Sequence, residues 1–235
     1  PSVPEGRRFC TRCDSPVGRG KNGQPGRTSG FCSQCGARFD FAAKLVAGEL
    51  VAGQYEVAGA MAHGGLGWIY LVRDHNVSGR WCVLKGLLDT ADPAAAEAAV
   101  AERRFLAEVS HPAIVGIFNF VNHNGQGYIV MEYVGGPSIK QLAKRRRDAG
   151  LGPMPVPEAA AYMMAVLPAL GYLHDQGLVY CDFKPDNVIH AGDAVKLIDM
   201  GGVRRLDDPD AAIFGTVGYQ AAEVPKTGPT VASDL

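Results

Sequence analysis

The chain has 235 residues and a formal net charge of −1, with 47% hydrophobic and 20% charged residues. These values are ordinary for a globular protein of one large or two small domains. A near-neutral charge argues against nucleic-acid binding as the main role, because that role normally leaves a basic imbalance. No run of 18 or more apolar residues occurs, so the sequence does not support a membrane span. Because the chain begins at Pro1 rather than Met, the sequence does not decide whether a targeting segment has been removed.

Two Cys-x-x-Cys pairs stand near the start of the chain. Cys10 and Cys13 form the first, Cys32 and Cys35 form the second, and 18 residues separate the pairs. This gap lies in the range of about 15–20 residues typical of a four-thiolate metal site, which makes two disulfides the weaker alternative. Four thiolates close a tetrahedral shell that suits Zn²⁺ or a single iron, and the sequence leaves the ion open.

The segment between the two pairs is rich in Gly, Pro and Arg and has few residues that a core can bury. We therefore expect this module to need its metal in order to fold. Its basic residues favour a solvated face over a nucleic-acid-binding ribbon; they are Arg7, Arg8, Arg12, Arg19, Lys21 and Arg27. Gly36 follows the second pair and suits a tight turn. Residues 42–53 contain two glycines and are predicted to be a connector.

Short β-like runs follow from Gln54. A glycine-rich segment lies between the first two, and such a segment allows a backbone to approach a phosphate closely, although alone it is a weak signal. Its residues are Ala62, His63, Gly64, Gly65, Leu66, Gly67, Trp68 and Ile69. Another strand is predicted to contain Val83 and end at Lys85, and a buried strand is predicted to reach Met131 before a hinge at Glu132 and Val134.

Residues 94–109 are predicted to form a helix, capped by Asp92 and ended before Pro112. Glu102 shares a face with two apolar residues of this helix, whereas Glu97 and Glu108 are expected to face solvent. The basic run at residues 144–147 is predicted to be a solvated helix face. A long helix is predicted over residues 157–174, with a kink at Pro168.

Two further motifs follow the long helix. The first is Tyr180-Cys181-Asp182-Phe183-Lys184-Pro185-Asp186-Asn187, and the second is Asp199-Met200-Gly201. They resemble the catalytic loop and the metal-binding loop of protein kinases. The resemblance implies a bilobal α+β kinase-like fold, with a truncated C-lobe, behind a small rubredoxin-like metal ribbon.

The resemblance also implies a role for each matching position. Asp182 would accept the proton of the attacking hydroxyl, Lys184 would neutralise the transferred phosphate, and Asn187 and Asp199 would hold Mg²⁺ or Mn²⁺. Lys85, paired with Glu102, would contact the phosphates of ATP. The glycine-rich segment would cover those phosphates, and adenine would lie against the residues Ile69, Val83, Met131, Glu132, Val134 and Ile189. Thr216 would bridge to Asp182, and Asp234 would brace the catalytic loop.

The cysteine pairs and the kinase motifs together indicate a narrower family than the kinase motifs alone. Two Cys-x-x-Cys pairs before the segments Ala62–Tyr70, Tyr180–Asp182 and Gly218–Glu223 resemble the actinobacterial protein kinase G family. The resemblance implies a cytoplasmic Ser/Thr kinase with a C-terminal tetratricopeptide domain. Its implied substrate is a forkhead-associated-domain regulator of glutamate and 2-oxoglutarate metabolism. The implied domains are a rubredoxin-like domain (1–41), a linker (42–53), a kinase N-lobe (54–135) and a partial C-lobe (136–235).

Several residues differ from those of the usual kinase motifs. Tyr180 and Cys181 replace His-Arg, and Ala62 and Ala222 replace Gly and Pro. Cys181 lacks the guanidinium that normally binds a phosphorylated activation loop, so we expect activity without that phosphorylation and control through the oxidisable cysteine module. Since the chain stops at Leu235, we expect it to belong to a longer protein and to be poorly active alone. A pseudokinase or adaptor is the alternative, and electron transfer through an iron site is a third.

Overall fold

The computed structural model describes residues 3–10, 13, 15–21, 23–64, 67–86, 104–208, 216 and 218–235. The chain divides into two compact units. The first consists of Pro1–Arg104 and Phe118–Tyr133, and the second of Phe105–Ile117 and Val134–Leu235. The backbone passes from one unit to the other inside the predicted hinge, between Tyr133 and Val134.

A six-stranded sheet dominates the first unit. Its strands lie in the order β3-β4-β5-β6-β8-β7, and the neighbours from β3 to β8 pair antiparallel. A separate antiparallel pair, β1 and β2, belongs to the cysteine module. The strands are β1 (Ser29–Phe31), β2 (Arg38–Asp40), β3 (Leu50–Val51), β4 (Tyr55–Gly64), β5 (Gly67–Asp74), β6 (Arg80–Gly86), β7 (Ile117–His123) and β8 (Gln126–Glu132).

The core of the first unit runs from the sheet into the cysteine module without a break. The sheet side chains Val72 and Leu84 are fully buried. They belong to the same apolar cluster as Cys10, Cys32 and Phe41 of the module. Burying apolar surface from both parts in one cluster ties the folding of the module to that of the sheet.

Helices and short strand pairs make up the second unit. β9 pairs with β12, and β10 pairs with β11, both antiparallel. Ser138 caps the first helix, because its side chain accepts from the backbone N–H of Gln141 while Gln141 returns a bond to the Ser138 backbone. The elements are α1 (Ile139–Asp148), α2 (Val156–Asp175), β9 (Leu178–Val179), β10 (Val188–Ala191), β11 (Ala194–Leu197), β12 (Arg204–Arg205) and α3 (Val224–Thr227).

The long helix α2 confirms the helix predicted over residues 157–174. Pro168 lies inside it without dividing it. By length and composition α2 could also cross a membrane, a test that the core helices of globular proteins pass as well. Its residues Leu170 and Leu173 are fully buried in the second unit, while 22% of the apolar window as a whole is buried.

The helix predicted over residues 94–109 falls mostly on residues 87–103, which lie outside the described residues, as does Glu102. The described end is a 3₁₀ helix, Arg104–Glu108. Leu106 and Val109, predicted to share an apolar face, are both buried.

Candidate active site and metal centre

The glycine-rich segment forms the turn between β4 and β5. Gly64 lies opposite Gly67, and Ala62 lies opposite Ile69, so β4 and β5 form a hairpin at this segment. Gly65 and Leu66, at its tip, are outside the described residues. Because Gly64 and Gly67 carry no side chains, a ligand can approach the backbone closely at these two strand ends.

One face of the sheet collects four residues that were predicted to contact nucleotide. Ile69 lies opposite Lys85, and Val83 lies opposite Met131. Opposed residues of an antiparallel pair project on the same side, as do residues two apart along a strand. Ile69 and Val83 are only half-buried, whereas Leu84, on the other face, is fully buried.

The hinge and the predicted adenine floor belong to different elements. Glu132 ends β8 opposite Cys82. Val134 is the first residue of the second unit, and both it and Glu132 are half-buried. Ile189 lies in β10, is 8% exposed and bridges to Ser138 at the start of α1.

Three predicted side chains meet in one hydrogen-bonded cluster of the second unit. The Lys184 Nζ lies 2.5 Å from the Asp182 Oδ2 and 2.5 Å from the Thr216 Oγ1. The Thr216 hydroxyl donates to the Asp182 Oδ1 at 2.6 Å. The predicted bridge from Thr216 to Asp182 is therefore confirmed. A carboxylate held in this way is fixed in direction and can accept a proton, with an ammonium group beside it to oppose negative charge.

Asn187 connects this cluster to a candidate cation site. Its Nδ2 donates to the Asp182 backbone carbonyl at 2.9 Å and to the Asp182 Oδ2 at 3.2 Å. The hairpin of β10 and β11 places Asp199 near Asn187, since Ile198, just before Asp199, donates its backbone N–H to the Asn187 carbonyl. An amide oxygen and a carboxylate are the donors that Mg²⁺ prefers, so these two residues fit the predicted ion.

Asp234 holds the catalytic loop from behind. Its buried carboxylate accepts the backbone N–H groups of Tyr180 at 2.7 Å and Cys181 at 2.8 Å, and it lies 2.9 Å from the His174 Nε2. The predicted brace is confirmed. His174 was not predicted, because a single His near the end of a helix gives no signal of its distant partner.

The two altered positions of the loop are both neutral. Cys181 has a left-handed backbone, with φ of 66°. Burial, followed by the nearby Asp234 charge, raises the pKa of its thiol to about 12. Burial also raises the pKa of Tyr180 well above its ordinary value, and the Tyr180 hydroxyl has no hydrogen bond of good geometry within the described part of the chain. Neither side chain supplies the positive charge of the Arg that usually stands here.

The four predicted metal ligands come together in the cysteine module. All four Sγ atoms lie within 4.8 Å of one another; the Cys10–Cys35 and Cys13–Cys32 separations are 3.5 Å and 3.6 Å. None of the six cysteines, all of which lie in the described part of the chain, forms a disulfide, so this structure does not contain the disulfide alternative. Gly36 has φ of 72°, the left-handed turn for which a glycine was predicted. The sulfur cluster fits a tetrahedral Zn²⁺ or iron equally well.

Arg8 corrects one prediction for this module. It was expected on a solvated basic face, yet it is 4% exposed. Its guanidinium donates to the carbonyls of Val3, Gly18, Gly26 and Arg27. The segment between the two Cys pairs has few apolar side chains, so the buried Arg8 guanidinium, which donates to carbonyls, fills part of the module's interior.

A polar and aromatic contact, here called the clasp, joins the end of the cysteine module (Phe41) and the start of the connector (Ala42, Lys44 and Leu45) to the glycine-rich hairpin. Trp68 donates its indole N–H to the Ala42 carbonyl at 2.8 Å, and the Tyr70 hydroxyl accepts the backbone N–H groups of Lys44 and Leu45. The His63 ring lies between those of Phe41 and Trp68. His63 and Trp68 flank the hairpin turn directly, so the module touches the strands that carry the turn.

Comparison with known proteins identifies both parts of the chain. Residues 55–234 match the family model "Protein kinase domain", and residues 1–45 match "Protein kinase G rubredoxin domain". The whole chain is 51% identical to the serine/threonine-protein kinase PknG of Mycobacterium leprae, of which it covers 32%. It is also 51% identical to PknG of Mycolicibacterium smegmatis, of which it covers 30%.

A similar solved structure is the crystal structure of the PknI kinase domain of Mycobacterium tuberculosis, a double mutant. It matches with a TM-score of 0.64 at 28% identity, over 81% of this chain and 73% of that one. The chain spans about a third of the length of the curated relatives it matches.

Proposed function

Because this chain belongs to the protein kinase family, we propose that the protein containing it is a Ser/Thr protein kinase. It transfers the γ-phosphate of ATP to Ser and Thr hydroxyls of a protein substrate. The observation that carries the proposal is the cluster of Asp182, Lys184 and Thr216, with Asn187 bound to Asp182 and Asp199 near Asn187.

In the proposed reaction, Asp182 orients the substrate hydroxyl and accepts its proton. Lys184 opposes the negative charge that develops on the transferred group. Asn187 and Asp199 hold Mg²⁺ or Mn²⁺, which when bound neutralises phosphate charge. Because these groups are already hydrogen-bonded in place, little reorganisation is needed when substrate binds.

The nucleotide is proposed to bind through Lys85, with Glu102 as its partner, and through the backbone of the glycine-rich hairpin at Ala62, Gly64, Gly65 and Gly67. The adenine ring contacts Ile69, Val83, Met131 and Ile189 and hydrogen-bonds the backbone of Glu132 and Val134. The shared sheet face of Ile69, Val83, Lys85 and Met131 supports this assignment.

Regulation is proposed to act through the metal module, by control or docking, rather than through activation-loop phosphorylation. Cys181 has no charge to pair with a phosphate. No Ser, Thr or Tyr occurs between Met200 and Gly215, and Thr216 is already bonded to Asp182. Within the clasp, the Phe41 ring of the module contacts the His63 ring of the glycine-rich hairpin. Zn²⁺ would make the module structural, whereas iron would make it redox-responsive.

The remaining proposals rest on the resemblance to the protein kinase G family. They are a cytoplasmic location, a C-terminal tetratricopeptide domain and a forkhead-associated regulator of glutamate and 2-oxoglutarate metabolism as substrate. The proposed domains keep the boundaries 1–41, 42–53, 54–135 and 136–235.

The test is a radiolabelled phosphate-transfer assay on the full-length protein, with metal analysis of the same sample. Asp182→Asn should lower transfer by a factor of roughly 10² or more while ATP binding is retained. ATP binding without transfer in the unmutated protein would instead identify a pseudokinase or adaptor. Transfer unchanged by Asp182→Asn would remove Asp182 from its proposed role.

A further inference from the structure

The helix α1 begins directly beside the catalytic loop. The backbone N–H of Lys140 donates to the Pro185 carbonyl at 3.1 Å. The Lys140 Nζ lies 2.9 Å from the Asp186 carboxylate. Since Asp186 stands between Lys184 and Asn187 in the sequence, the first turn of α1 adjoins the cluster proposed to transfer phosphate.

Three cations continue along one face of α1 from this point. Lys140, Lys144 and Arg147 are spaced i, i+4 and i+7, so they share a face, and all three are exposed. At a rise of about 1.5 Å per residue, this basic stripe extends roughly 10 Å from the catalytic loop. Arg145 is equally exposed but points away from the stripe, since five residues of helix rotate it by about 140° from Lys140.

The stripe keeps one net positive charge, because two described carboxylates pair with two of its three cations. Asp186 pairs with Lys140, and Asp148 pairs with Lys144. Within the described residues, the ion pairs of α1 involve Lys140, Lys144 and Arg146 but not Arg147. The two pairs are exposed, and exposed pairs are weak enough for an incoming carboxylate to replace Asp148 or share Lys140. A basic side chain of a substrate that approaches the catalytic loop from this side is repelled by Lys140, because the Asp186 carboxylate is already paired with that lysine.

We propose that the basic stripe binds acidic residues of the substrate, so that the favoured Ser or Thr is flanked by Asp or Glu. This inference rests on the proposed kinase function and adds the substrate class to it. An extended peptide advances about 3.3 Å per residue, so the stripe matches acidic positions within roughly two to five residues of the target hydroxyl. Charge complementarity of this kind raises both encounter rate and specificity.

The test compares three Thr peptides on the full-length protein with Mg-ATP. The peptides are identical except for acidic, neutral or basic residues at the flanking positions. The acidic peptide should show a kcat/KM about tenfold above the neutral one, and the basic peptide should be poorest. Lys144→Glu should remove the preference and leave transfer to the neutral peptide unchanged. The matched variant Arg145→Glu makes the same charge change off the stripe and should keep the preference.

A binding measurement separates this inference from the kinase function. The labelled acidic peptide should bind the full-length Asp182→Asn protein, with an affinity that falls as salt is raised. Equal rates for the three peptides, or equal effects of Lys144→Glu and Arg145→Glu, would overturn the stripe and leave the kinase function standing. Tighter binding of a single-stranded oligonucleotide than of the acidic peptide would also overturn it. Peptide binding without any transfer in the unmutated protein would uphold the stripe and reject the kinase function.

Discussion

Asp234 illustrates how a single buried residue positions a catalytic loop. Its two carboxylate oxygens accept two backbone N–H groups and face one His nitrogen, all at 2.9 Å or less. The adjoining Cys181 has a left-handed backbone that non-glycine residues rarely adopt. Charge-assisted hydrogen bonds to both Tyr180 and Cys181 offset the cost of that conformation.

Asp234→Asn should therefore weaken both stability and activity. The new amide NH₂ must face at least one N–H donor whichever way it turns, so we expect a loss of about 2–3 kcal/mol in the free energy of unfolding. Phosphate transfer should fall about tenfold or more, because the loop that carries Asp182 loses its anchor. Urea unfolding and transfer assays on the full-length protein measure these effects. Asp193→Asn is the matched control on an exposed turn, and equal behaviour of the two variants would argue against the brace.

Cys181 should be an unreactive thiol at neutral pH. The thiolate is the reactive form, and burial with the Asp234 charge raises the pKa of this thiol to about 12. Iodoacetamide at pH 7.5 should leave Cys181 unmodified in the folded full-length protein and modify it after denaturation, as followed by peptide mass spectrometry.

The raised pKa of Cys181 also makes the stability of the folded protein fall at alkaline pH. The unfolded chain loses the Cys181 proton near its ordinary pKa of about 8.5, whereas the folded chain keeps it. The contribution of Cys181 to stability is thus present below that pH and declines as pH rises toward 12. Cys181→Ala should reduce this alkaline loss of stability. Rapid alkylation of Cys181 in the folded protein at pH 7.5 would contradict the raised pKa on which both Cys181 predictions depend.

At the level of elements, the hinge depends on a close backbone approach to β10. The Pro137 carbonyl accepts the backbone N–H of His190, and Ser138 bridges to Ile189. Gly136 has φ of 138°, and a Cβ built there would lie 2.1 Å from the His190 carbonyl oxygen. The segment can reach β10, and so fix the proposed adenine floor, only while Gly136 lacks a side chain.

Gly136→Ala should displace this segment. The clash and the backbone strain together should cost roughly 2 kcal/mol or more, and the KM for ATP should rise more than kcat falls. Gly171→Ala is the matched control, because Gly171 lies in α2 with no atom within 4 Å of a built Cβ. It should be neutral or stabilise by up to about 1 kcal/mol. Unfolding curves and ATP titrations that fail to separate the two variants would reject this role for the hinge glycine.

Across the whole molecule, residues with fixed spacing in a motif were predictable. The four cysteines, Asp182, Thr216 and Asp234 were placed in advance, and the predicted kinase fold with a rubredoxin-like domain is confirmed by both family matches. Contacts between segments far apart in sequence were not predictable. The burial of Arg8 depends on carbonyls of residues 3–27, and the bond from Trp68 to Ala42 depends on how the module packs on the sheet. No repeating pattern in the neighbouring sequence indicates either contact.

The clasp leads to a prediction for the module and the sheet as one body. Trp68 is 8% exposed and bonded to Ala42, whereas Trp81, the other tryptophan, is 39% exposed. Metal loss unfolds small thiolate sites, and the module shares its core with the sheet. Removing the metal should therefore loosen the clasp and expose the Trp68 indole to water.

A full-length protein in which Trp68 is the one tryptophan kept, with Trp81 and any tryptophan outside this chain changed to Phe, tests this directly. Chelation or the double change Cys10→Ser/Cys13→Ser should shift Trp68 emission to longer wavelength and weaken ATP binding several-fold. In the matched protein that keeps Trp81 instead of Trp68, the emission of exposed Trp81 should not respond, because Trp81 lies outside the clasp. If metal analysis shows that the ion has left while Trp68 emission and ATP affinity stay constant, the module does not act on the glycine-rich hairpin. Its influence on the proposed reaction would then have to pass through substrate docking.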